Sequence, residues 1–151
     1  MKNTQLSQLI LNDHARIEAA ISTGAAWEVW FQVEFLMLLR AAHLSAAREV
    51  PYPKPNQDLR LDVLARQGVE DYAIELKVES ATNAGNRLLA ETRKDITKLT
   101  KYTEPVEARW AVALGYSDVA KHGLRDFATA NKTWVIYHEA GYMGCMIATV
   151  P

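Results

Sequence analysis

A single cysteine, Cys145, leaves no partner for an intrachain disulfide and no multi-cysteine zinc site. No apolar run approaches the roughly 20 residues that a membrane-spanning helix needs, so no membrane partner is expected. Met1–Gln5 leads into a polar amphipathic stretch without the apolar core of a signal peptide, so the expected location is cytoplasmic. Charge of one sign is also lacking. The net charge is -1 and the isoelectric point about 6.4, which excludes a protein that coats nucleic acid by bulk charge. A local basic strip beside an acidic metal site is still compatible, because the acids cancel part of the base count. There is no glycine-rich phosphate loop and no serine nucleophile elbow. His14, His43, His122 and His138 are scattered, without metal-ligand spacing.

What is present fits one soluble α/β domain spanning 1–151: 151 residues, 49% of them hydrophobic. Leu6, Ile10, Ile17 and Ile21 make one stripe of a helix over 5–22, with Ser22-Thr23-Gly24 as its stop and the next N-cap. A more apolar helix is expected over 25–44, with His43 near its end. Arg48-Glu49-Val50 reads as a short edge strand. Pro51, Pro53 and Pro55 make the following segment a stiff connector that cannot continue a paired strand. Two short strands follow, at 59–65 and 72–78, and then a helix over 86–103. An apolar strand over 109–116 suits the centre of a sheet. A helix from Ser117 or Asp118 to about Ala130 and a hairpin turning near Ala140-Gly141 complete the order α-α-β-β-β-α-β-α-β-β.

The chemistry concentrates in the first two of these strands. Side chains alternate along a strand. Leu59, Leu61 and Val63 should therefore face one way and Asp62 the other. In the next strand Tyr72, Ile74, Leu76 and Val78 share a face, leaving Glu75 and Lys77 together opposite. Paired as a hairpin, the strands bring two carboxylates and an ammonium to one side of a sheet. Two carboxylates plus waters suit Mg2+, which prefers oxygen ligands in octahedral geometry. Alternating charges on a solvent-facing strand are the alternative explanation, and Glu79, on the same strand face as Glu75, reads as a solvated strand end or as an acid supporting the metal ligands.

Glu34 is an independent clue. It lies on the apolar stripe of Trp27, Trp30, Phe31, Leu38 and Ala41, where a carboxylate must be paired, hydrogen-bonded or metal-bound. A helix-edge acid reaching a basic group or a cap is the alternative. Glu28 falls off that stripe and reads as solvated. On the third helix, Arg87, Lys94, Lys98 and Lys101 recur on one face opposite Leu89, Ile96, Leu99 and Tyr102. Either that face is solvated, or Lys98, oriented by Asp95, touches phosphate.

Asp62, Glu75 and Lys77, with Glu34 on a preceding helix, resemble the PD-(D/E)XK nuclease superfamily. The order of helix, three strands, helix and strand over about 25–116 is similar to its core. The residue before Asp62 is Leu61, where the family name has proline. The resemblance implies a restriction-endonuclease-like fold, a central mixed sheet flanked by helices. It implies Mg2+-dependent hydrolysis of phosphodiesters, with Mn2+ as a substitute metal. Asp62 and Glu75 would bind the metal, Lys77 would assist the nucleophile and transition state, and Glu34 would orient a metal-bound water or a second ion. Lys98, Lys94, Lys101 and Arg87 would meet nucleic acid, DNA in preference to RNA, with RNA still compatible. A homodimer or a partner protein is compatible. The rival expectation is a non-catalytic member of the same fold that binds a protein partner.

Overall fold

The computed structural model describes residues 1–24 and 27–151. The expected start of the second helix, at residue 25, lies outside the described residues. The elements are α1 (Asn3–Leu11), α2 (His14–Ser22), α3 (Trp27–Ala41), β1 (Ser45–Pro51), β2 (Arg60–Gln67), β3 (Glu70–Val78), α4 (Asn86–Leu99), β4 (Ala108–Gly115), α5 (Asp118–Ala130), β5 (Val135–Ala140) and β6 (Met143–Val150). Among the described residues the fold is α/β, a six-stranded mixed sheet ordered β1-β2-β3-β4-β6-β5 with five helices.

Two expectations give way to local chemistry. The single helix over 5–22 is two helices, broken at Asn12-Asp13. Asp13 N–H bonds back to the Ile10 carbonyl, and the amides of Arg16 and Ile17 then start a new turn on the Asp13 carbonyl. Asn and Asp favour such turns because their side chains compete for backbone groups. Pro51, expected to lie outside any paired strand, ends β1 opposite Arg60. Because β1 is an edge strand, proline's missing N–H breaks no ladder between two neighbours.

β1, β2 and β3 form an antiparallel meander. Only two residues, Gly68 and Val69, join β2 to β3. Gly68 has φ 62°, the left-handed geometry that a tight hairpin demands. Arg66 and Asp71 face each other across its base in a two-pronged ion pair. The chain then crosses through α4 to β4, which pairs parallel with β3. β6 adds antiparallel to β4, and β5 to β6.

Each sheet face buries its own core. Phe31, Phe35 and Leu39 of α3 and Leu6 and Ile10 of α1 pack with Ile74, Leu76, Val112 and Ile147. Tyr72 and Trp110 stack there with ring centroids 5.0 Å apart. On the other face Leu88 and Leu99 of α4 and Leu124 of α5 pack with Ala73, Ala111, Ala113 and Met146. Fully burying one such leucine or phenylalanine contributes about 1.5–3 kcal/mol. Two apolar faces therefore hold the sheet between helix layers. Cys145 is fully buried in the first core, where burial pushes its thiol up to about 12. Among the described residues no helix is long and apolar enough to cross a membrane.

Candidate active site

Glu75 and Lys77 project from β3 toward α4, on the face where the parallel neighbour sets an alanine opposite each of them. Glu75 sits opposite Ala111 and Lys77 opposite Ala113. Those small side chains leave room for polar groups above the sheet. β2 reaches the same place by parting from β3. Their pairing runs from Gln67↔Glu70 to Val63↔Ile74 and goes no further. One residue beyond, Asp62 Oδ2 accepts the Leu76 N–H at 2.7 Å, so a carboxylate takes the place of a strand carbonyl. The parting also overturns the expected alternation. Leu61 joins the core under α4 and α5, whereas Val63 joins the core under α1 and α3.

The Glu75 carboxylate is only 1% exposed. Its Oε1 accepts the Tyr52 hydroxyl at 2.8 Å, and its Oε2 accepts the Lys98 ammonium at 2.8 Å. Burial, and then the neighbouring Asp62 charge, push the Glu75 carboxyl up to about 8 despite those two donors. Lys77 pairs with Asp95 of α4 at 3.2 Å. Burial alone would lower the Lys77 ammonium, but the carboxylates of Asp95, Asp62 and Glu28 outweigh it and raise it. Burial also raises the Asp95 carboxyl, with Asp62 adding to the effect and Lys77 and Lys98 opposing it. Three acids and two amines thus share one mostly buried cluster.

Asp62, Glu75, Lys77 and Lys98 are brought together as expected. Lys98, however, is held by Glu75, while Asp95 serves Lys77. Of the four basic residues assigned to one face of α4, only Lys98 enters the cluster. The α4 stripe that packs inward is Leu88, Thr92, Asp95 and Leu99, which turns the other three outward. Arg87 and Lys94 pair with Glu91, and Lys101 is exposed. Glu34 stays outside the cluster: its buried carboxylate accepts Arg16 of α2 at 2.9 Å, and its charge is felt by Asp13. The α3 acid that reaches Lys77 electrostatically is Glu28, half-buried rather than solvated. It lies six residues, about 9 Å of helix, before Glu34. Glu79 is not a solvated strand end either, being 2% exposed. It accepts the amides of Gly85, Tyr116 and Ser117 and the Ser117 hydroxyl.

Tyr52 is the group that sequence reasoning missed. It stands in the proline-rich connector, 1% exposed, with its ring edge-on to Tyr102 at 5.1 Å. An aromatic residue fixed between prolines was the available signal, since such a segment holds a ring in one place at small entropic cost.

Among the described residues no group of three or more His, Cys, Asp or Glu side chains surrounds a single point as a metal cage. Mg2+ requires no such cage, since one or two carboxylates with waters suffice. Asp62 Oδ1 accepts no hydrogen bond among the described residues, and it lies beside a second carboxylate. At that second carboxylate a cation is already in place: the Lys98 ammonium, bound by Glu75 Oε2 and, at 2.5 Å, by the Arg60 carbonyl. Hard oxygen donors around a positive charge fit a hard divalent ion. Compared with protein-family models, curated proteins and solved structures, the chain matches none.

Proposed function

We propose that this chain is a divalent-metal-dependent nuclease with a restriction-endonuclease-like fold, acting on DNA in the cytoplasm, alone or with a second copy or partner protein. The observation that carries the reading is the convergence of Asp62 and Glu75 beside Lys77, where β2 parts from β3. Asp62 and Glu75 would hold Mg2+. Bound there, the ion supplies Lewis-acid polarisation of the phosphate and a water of lowered pKa. Lys77, steadied by Asp95, stabilises negative charge developing on the phosphate oxygens. Glu28 replaces Glu34 as the α3 acid whose charge reaches these groups. Arg87 and Lys94, exposed along α4, and Lys101, exposed in the turn after it, offer salt-dependent phosphate contacts around Lys98.

Purified protein with Mg2+ or Mn2+ is expected to nick plasmid DNA or degrade single strands. Lys77→Ala should reduce this by about 100-fold or more and lower the melting temperature as Asp95 loses its partner, with an unchanged circular-dichroism spectrum showing that the fold is kept. Activity that survives both Lys77→Ala and Asp62→Asn would refute the assignment. One observation favours a second reading, a non-catalytic binding module: Glu75 and Asp95 already have cationic partners within the chain. A single tight protein partner, retained in chelator and unaffected by Asp62→Asn, would support that alternative.

A further inference from the structure

We infer that Lys98 is a built-in counter-ion that holds the cation seat until a divalent ion arrives, and then turns to the substrate phosphate. The inference rests on the nuclease reading above and concerns the loading of its site. Three features of the geometry support it. First, the Lys98 ammonium has ligands of the kind a hard cation takes, a carboxylate oxygen at 2.8 Å and a backbone carbonyl at 2.5 Å. Second, the side chain is free to leave. It is 26% exposed, against 1% for Glu75, and it spans from α4 to the sheet across the face of the Tyr52 ring, 5.6 Å from its centroid. Third, Glu75 can be held without it, because Tyr52 donates to the other oxygen at 2.8 Å.

Electrostatics gives the direction of the exchange. Asp62, Glu75 and Asp95 face Lys98 and Lys77, so three negative groups meet two positive ones. A divalent ion at Asp62 and Glu75 adds charge that Lys98 then opposes, since two cations at one carboxylate repel at short range. Lysine is suited to moving, because its ammonium is a compact charge on a flexible stem with three rotatable donors. Released from Glu75, Lys98, already 26% exposed, is free to meet a phosphate that brings negative charge. Metal and nucleic acid would therefore load in a coupled order, the metal freeing the residue that binds the substrate.

The test is amine labelling at a fixed alkaline pH, read lysine by lysine by mass spectrometry, with metal binding followed in parallel by calorimetry. Saturating Mg2+ should raise the labelling of Lys98 several-fold and leave Lys94 and Lys101, already exposed, unchanged. Asp62→Asn should abolish the rise. If calorimetry shows Mg2+ bound and Lys98 labels at the same rate as without it, the counter-ion role is overturned and the metal site stands. If calorimetry shows no binding of Mg2+ or Mn2+, both the role and the nuclease reading fall.

Discussion

Two glutamates lie four residues apart on one strand and its extension, and both are almost wholly buried, Glu75 at 1% and Glu79 at 2% exposure. Their chemistry is opposite. Burial raises both, but at Glu79 the Ser117 hydroxyl and the amides of Ser117, Gly85 and Tyr116 more than offset it and hold the carboxyl below its ordinary value. Glu75 has two side-chain donors and a second carboxylate close by, and is pushed up to about 8. A buried acid satisfied mainly by main-chain amides is a fastening. A buried acid served by side chains that can move, beside a like charge, has the signature of a functional site.

The sharpest way to break this contrast is substitution at the two positions. Glu79→Ala strands three amides and a hydroxyl and should destabilise the fold by on the order of 3–5 kcal/mol. Chemical denaturation measures this, and a loss below about 1 kcal/mol would remove the fastening role. Glu75→Gln should act the other way, by an amount that grows with pH. The folded Glu75 carboxyl titrates near 8, against an ordinary unfolded value near 4.5. Between those values the native state binds more protons than the unfolded chain, so stability falls as pH rises. Near pH 5 the two proteins should melt alike. By pH 9 the Gln variant should be the more stable, by on the order of 2 kcal/mol. Parallel melting profiles across that window would contradict it. Glu79 has the reverse slope: its depressed carboxyl contributes stability above its unfolded value that is lost as pH falls through the folded one.

The smallest effect expected separates the two acids of α3. Glu34→Gln should leave the thermal stabilisation by Mn2+ unchanged and cost under about 1 kcal/mol, because its Arg16 partner is 58% exposed. Glu28→Gln should weaken that stabilisation. A loss at Glu34 and none at Glu28 would reverse the assignment.

These positions also show what the sequence alone could reveal. Strand alternation was enough to place Glu75 and Lys77 together, because period two is set by the backbone and needs no knowledge of neighbours. The same rule misjudged Leu61, where the pairing ends and a side chain enters the ladder. Glu34 was correctly expected to be buried, since the helical stripe fixes its direction. Its partner comes from α2, which a single-helix reading of 5–22 could not position against α3. Glu28 and Glu79 failed for a related reason. Each takes its meaning from segments distant in the chain: β3 for the first, and the starts of α4 and α5 for the second. Tyr52 reaches Glu75 over 23 positions, a closure that no local pattern encodes.

By gripping Gly85 at the head of α4 and Tyr116 beyond the end of β4, Glu79 works like a rivet between the sheet and one helix layer. With that rivet in place, α4 cannot slide lengthwise over β3. The spacings from Lys77 to Asp95 and from Glu75 to Lys98 then become one mechanical quantity. A shift of half a helical turn would disengage both at once, so the pocket assembles or comes apart as a unit.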